Sequence, residues 1–293
     1  MKKRRTLASE WVLDGVGLHS GAPVRLRLVP APPGSGIVFV RTDLGRVRIP
    51  ALLENAGPSF YATVLERRGA TVSTIEHLMA ALYAMQVDDL DVELDAAEVP
   101  ILDGSSKPFV LGILEAGFRE HDVVREYIHI TRPLTVTHED KRISVHPCPE
   151  YRVTYAIDFD HPALGYQELT ASLWRTDQFV EKLAPARTFT FDHEVAALRE
   201  RGLARGGTLD NAVVVGKEGV LNPPLRFADE FVRHKMLDLT GDLSLLGHPI
   251  LGHVVAYRAG HDLHARLARA IAAAKDAWYL APGGEVAVEA PSP

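Results

Sequence analysis

Cysteine is almost absent: Cys148 is the only one among 293 residues. That excludes an intramolecular disulfide and any cysteine-based metal centre. Cys148 sits between two prolines in HPCPE and reads as inert. Long apolar runs are also missing. No stretch approaches the roughly 20 residues needed to span a bilayer, and mean hydropathy is close to zero. The N-terminal MKKRRTLASEWVLDG is basic, but no apolar segment follows before Asp14, so a signal peptide is not expected. The KKRR run reads as the start of a solvated strand. There is no excess of positive charge either. The formal net charge is −6, which argues against a broad nucleic-acid-binding face. What the chain does have is histidine, 13 in all. A metal site here has to be built from His, Asp and Glu.

Periodicity gives an α+β chain. VRLRLVP and GIVFVR read as strands, and STIEHLMAALYAM as a helix with Ile75, Leu78, Met79 and Leu82 on one face. DDLDVELD is a strand, and SSKPFVLGILEAG a helix stopped by Gly117. The region 126–159 reads as three strands. Further on come a helix near 174–183, a short strand in ARTFTF, a helix in DHEVAALRERG and a strand in NAVVVG. A long helix over 229–246, a strand in GHVVAYR and a closing helix in LHARLARAIAAAKDAW follow. Two halves share this order, each with a histidine-bearing helix, HLMAAL (77–82) and HKMLDL (234–239). The similarity predicts a duplicated α+β unit, two similar domains over 1–121 and 126–280, with a site between them. Residues 283–293, rich in Pro, Gly and Ala, are expected to be disordered.

Several residues carry chemistry. In DEFVRHKMLD, His234 and Asp238 lie one helical turn apart, a spacing that serves a zinc ion or an ordinary local pair on a solvated helix. Asp242 follows on the same face. Glu76 neighbours His77, as a base neighbours a ligand in zinc hydrolases, but Ser73-x-x-Glu76 also fits a helix capping box. His261 stands between a strand and a helix. Thr188 in ARTFTF could donate to an oxyanion or be a plain strand residue. LARGGTLDNAVVV has a glycine pair without the Gly-Lys-Ser/Thr of a phosphate loop.

GVGLHSG, STIEHLMAAL, LDGSSKPF, ARTFTF, GGTLDNAVV, DEFVRHKMLDLTGDL and the GH at 260–261 occur in this order. Together, over about residues 4–280, they resemble the zinc-dependent UDP-3-O-acyl-N-acetylglucosamine deacetylases of bacterial lipid A biosynthesis. The resemblance implies zinc (or ferrous iron in the cell) on His77, His234 and Asp238, with a water at the open position. It implies Glu76 as general base and His261 as general acid or oxyanion-stabilising cation, oriented by Asp242. Lys235 and Thr188 would contact the reacting centre and Phe189 the sugar. An insert over 191–215 would wall an apolar passage for the acyl chain, with Val195, Leu198, Leu209, Ala212 and Val214 lining it. The implied protein is a cytoplasmic monomer that takes a nucleotide-linked acylated sugar and does not insert into the membrane. Thr190 and His264 depart from the family pattern, which usually has glycine and often asparagine there. Neither is expected to touch the ligands or the acid–base pair. Two rivals are the same chemistry on another acylated amino sugar, and a non-catalytic acyl-sugar binding protein.

Overall fold

A computed structural model describes residues 1–58 and 61–283. The expected disorder of the tail falls on residues 284–293, outside the described residues, apart from Gly283. The first half supplies strands β1 (Trp11–Val16), β2 (Pro23–Pro30), β3 (Ile37–Arg41) and β4 (Val47–Pro50). Helix α1 (Glu76–Ala84), strand β5 (Leu90–Leu94) and helix α2 (Lys107–Ala116) follow. The sheet order is β1-β2-β5-β3-β4, with β3 and β5 parallel and the other pairs antiparallel.

The second half repeats the plan. Strands β6 (Leu134–His138), β7 (Lys141–His146), β8 (Tyr151–Phe159) and β9 (Gly165–Ser172) come first. After the short helices α3 (Thr176–Lys182) and α4 (Asp192–Glu200) come helix α5 (Glu230–Leu243), strand β10 (Ile250–Tyr257) and helix α6 (His261–Ala273). The corresponding order is β6-β7-β10-β8-β9, again with only the β8–β10 pair parallel. The duplication read from two histidine helices is therefore also a duplication of topology. Glu126–Ile130 adds to β10 in parallel and Trp278–Pro282 pairs with it. The basic N-terminus is a strand, Lys3–Leu7, antiparallel to Phe118–Val124.

Residues 126–159 form four strands rather than the expected three. The β6–β7 turn is Glu139-Asp140, with Glu139 left-handed at φ 55°. Without a glycine or Asn-Gly pair to mark it, the break is hard to see in sequence. Helix α1 also departs from expectation. It is not one-faced: eight of its nine residues are buried, because it is enclosed by α2 on one side and α5 on another. Helix α5 is buried at 12 of 14 positions, so DEFVRHKMLD is not a solvated face. The two helices meet closely at Gly241. A Cβ there would lie 2.1 Å from the Glu76 carbonyl oxygen, so only glycine permits this approach.

Candidate metal and catalytic site

The α1–α5 contact brings the chemistry-bearing residues together. Glu76 is the first residue of α1 and His77 the second. No capping box forms: the residue before the helix is Ile75, and the Ser73 hydroxyl donates to the Ala97 carbonyl instead. The Glu76 carboxylate turns inward, buried, and its Oε2 accepts from the Thr63 backbone N–H at 3.0 Å. Burial raises its pKa, against the pull of the neighbouring His261 and His77. Helix α5 delivers His234, Asp238 and Asp242 on successive turns, all buried. Helix α6 opens on His261.

Among the described residues two groups of three ligand-capable side chains occur: His77, His234 and Asp238, and Asp242, His261 and His264. Their hydrogen bonds tell them apart. In the first group, Nε2 of His77 and of His234 lie 3.6 and 3.3 Å from Asp238 Oδ1. That oxygen is buried with no hydrogen-bond partner, a costly arrangement unless something else satisfies it. His234 Nδ1 lies 3.0 Å from the Ala186 carbonyl, which can only accept. The proton is thereby fixed on Nδ1 and the Nε2 lone pair faces the cluster. Burial lowers the His234 pKa to about 4, keeping the ring neutral. Two imidazole nitrogens and a carboxylate oxygen are a donor set that suits zinc. Asp238 Oδ2 accepts from Lys235 Nζ at 2.8 Å. Burial works against the Lys235 ammonium, but the Asp238 charge outweighs it and raises its pKa.

The second group is a hydrogen-bonded relay. His261 Nδ1 and His264 Nδ1 both lie 2.7 Å from Asp242 Oδ2, and the Thr63 hydroxyl donates to Asp242 Oδ1. Burial alone would lower the His261 pKa, but the Asp242 charge raises it to about 9. Burial likewise would raise Asp242, but the His261 charge and the imidazole hydrogen bonds hold it below the usual carboxylate range. The ion pair is thus His261 cation and Asp242 anion at neutral pH. His264 was expected to stay clear of the acid–base groups, but it shares the carboxylate that holds His261, because it lies three residues further along the same helix, and its Nε2 lies 3.1 Å from the Tyr155 hydroxyl.

Two cavities flank this cluster. One, of about 420 Å³, is lined by His234, Lys235, Asp238 and His261 together with Lys141, Asp158, Phe159 and Arg258. The second, of about 410 Å³, is lined by all five predicted apolar residues, Val195, Leu198, Leu209, Ala212 and Val214, together with Leu18, His19 and Leu221. Tyr61, Thr188, Phe189, Thr190 and Glu194 line both. Thr188 is held there by its backbone N–H, which donates to the Gly104 carbonyl at 2.8 Å. Gly104 is left-handed, and a Cβ on it would meet the Asn211 carbonyl oxygen at 2.0 Å. The glycine of LDGSSKPF thus sets the position of ARTFTF.

The sequence did not single out Thr63, Lys141 or Arg258. Lys141 and Arg258 sit at the ends of β7 and β10, adjacent strands far apart in the chain, and Arg258 pairs with Asp140 at 2.7 Å. No local spacing could link them.

The family model for LpxC, UDP-3-O-acyl N-acetylglycosamine deacetylase, matches residues 4–273. The chain belongs to this deacetylase family. The UDP-3-O-acyl-N-acetylglucosamine deacetylase of Syntrophotalea carbinolica is 48% identical over 284 residues, covering 96% of this chain and 92% of that protein. The one from Myxococcus xanthus is 48% identical over 281 residues, covering 95% and 89%. That of Hahella chejuensis is 45% identical over 283 residues, covering 96% and 94%. Membership makes the chain a deacetylase of the hydrolase class, a family of metalloenzymes, and its His/Asp cluster is a site suited to the metal. No helix among the described residues is long and apolar enough to cross a membrane.

Proposed function

We propose that the protein removes the N-acetyl group of UDP-3-O-(3-hydroxyacyl)-N-acetylglucosamine, releasing acetate, as an early committed step of lipid A biosynthesis. The observation that carries this reading is the unpartnered buried Asp238 Oδ1 facing two histidine nitrogens, with Glu76 and the His261–Asp242 pair beside it. His77, His234 and Asp238 would hold zinc; ferrous iron has the same charge and suits the same donors. A bound zinc would polarise the acetamide carbonyl and lower the pKa of water to about 7.

The chain's own residues supply the rest. Glu76 takes a proton from the attacking water as its oxygen bonds to the acetyl carbon; burial has tuned this carboxylate upward, toward a useful base. His261, cationic on Asp242, gives its proton to the sugar nitrogen as the carbon–nitrogen bond breaks. The products are acetate and a free amine. Lys235 and the Thr188 hydroxyl would stabilise charge on the carbonyl oxygen. Phe189, at the junction of the two cavities, would lie against the sugar. The diphosphate would take the cavity with Lys141 and Arg258, and the acyl chain the apolar cavity. Residues 191–215 act as the acyl-binding insert of a second domain over 126–280, and residues 1–121 form the first; the repeated strand order supports that division. We further infer a cytoplasmic monomer, in keeping with a single free cysteine.

The test is to incubate purified protein with UDP-3-O-(3-hydroxyacyl)-N-acetylglucosamine and follow product mass, with and without a chelator. Loss of one acetyl group, abolished by chelation and restored by zinc, is the expected result. No mass change in zinc-loaded protein would sink the substrate and turn attention to other acylated amino sugars.

A further inference from the structure

Asp242 carries more than one imidazole. Its Oδ2 is shared by the Nδ1 atoms of His261 and His264. Its Oδ1 accepts from the hydroxyl of Thr63, a buried residue just before the strand Val64–Arg67. The same hydroxyl lies 3.3 Å from His261 Nδ1. The Thr63 backbone N–H, meanwhile, donates to Glu76 Oε2. One residue from the first half thus touches the carboxylate of the base and the carboxylate that anchors the acid.

We propose that Thr63 is a positioning residue of the hydrolytic site: its hydroxyl fixes the rotation of the Asp242 carboxylate, and through it the aim of His261. The proposal rests on the reading of Glu76 as base and His261 as acid. The physical ground is the terminal torsion of aspartate, which is broad and roughly two-fold. Two imidazoles on one oxygen leave the plane of the carboxylate free to swing about that oxygen. A donor on the other oxygen removes that freedom. It also satisfies an oxygen that is buried in the α5 interior and would be costly to leave bare. The hydroxyl and the backbone of Thr63 are separable. Any residue but proline keeps the N–H on Glu76. Only serine or threonine places a small hydroxyl on Asp242.

The experiment compares Thr63→Val, which keeps the shape and loses the hydroxyl, with Thr63→Ser, which keeps the hydroxyl. Glu76→Gln and His261→Ala serve as controls, all four as zinc-loaded full-length protein. Steady-state rates and bound zinc are measured on each. The expectation for Thr63→Val is a fall in kcat of about 10–100-fold, the range for residues that orient groups at a metal site. KM should move little and zinc content should match the wild type. Thr63→Ser should recover most of the rate. Wild-type kcat in Thr63→Val, a loss of zinc in step with activity, or failure of serine to recover the rate would each overturn the proposal. If Thr63→Val is unaffected while both controls lose turnover, the acid–base reading stands and the proposal alone falls. Controls that turn over at the wild-type rate would remove both.

Discussion

At the scale of single residues, the two histidine groups make opposite predictions. His77 faces an oxygen that no proton satisfies, whereas His261 is held through its Nδ1 by a different carboxylate, that of Asp242, with its Nε2 4.0 Å from Asp238 Oδ2. His77→Ala should therefore lose bound zinc as well as activity. His261→Ala should keep its zinc and lose turnover by about 10²–10⁴-fold, the usual value of a general acid. Metal analysis of the two purified variants checks this, and full zinc occupancy in His77→Ala would refute the ligand assignment. The raised pKa of His261, about 9, gives a pH dependence with a definite sign. The ring is protonated below that value and loses its proton above it. Turnover limited by proton delivery should hold through neutral pH and fall as pH rises past about 9, a limb absent from His261→Ala. The approach of His234 to Asp238 was legible, because their spacing is local, but their reading as ligands came only with the family resemblance. Contacts between distant partners were not legible: Thr63 and Asp242 are 179 positions apart.

Elements show a different limit. Strands rich in Val and Ile and helices closed by glycine could be read, because their signals are local. The β6–β7 hairpin was obscured by a turn without glycine, and the all-round burial of α1 depends on packing that no helical period records. Gly241 illustrates that dependence. Gly241→Ala should favour an isolated helix by about 1 kcal/mol. In the folded protein it sets a Cβ against the Glu76 carbonyl, so the expected outcome is lower thermal stability with weakened zinc binding. The start of α5 offers a second test. Glu230 is fully buried and accepts from the Arg187 guanidinium and backbone N–H and from the Arg226 N–H. Burial would raise its pKa, but these bonds lower it overall. The stabilisation is therefore present above the unfolded carboxyl value, near 4.3, and is lost as pH falls through the lower folded value. Glu230→Gln leaves the buried Arg187 without its counter-charge and should cost about 3–5 kcal/mol at pH 7 by urea unfolding. The gap to wild type should shrink in acid. Because Arg187 directly precedes Thr188, the same variant should disturb the junction of the two cavities.

For the whole molecule, the prediction concerns the substrate. With an apolar cavity on one side of the reacting centre, each methylene of acyl chain buried there contributes about 0.8 kcal/mol. A substrate shortened by two carbons should lose roughly tenfold in kcat/KM, provided those carbons reach the cavity. Equal kcat/KM across chain lengths would place the chain elsewhere. The duplication was visible in sequence as a shared order of elements and two similar helices, while the common strand pairing was not, since it is set by contacts between strands far apart in the chain. That topology has a consequence for control. His77 and Glu76 come from the first repeat, and His234, Asp238 and His261 from the second. On the proposed assignment neither half alone would hold a working centre. A small molecule or protein that wedged α1 away from α5 would silence the enzyme without entering either cavity, and zinc, by gripping both helices, would oppose it.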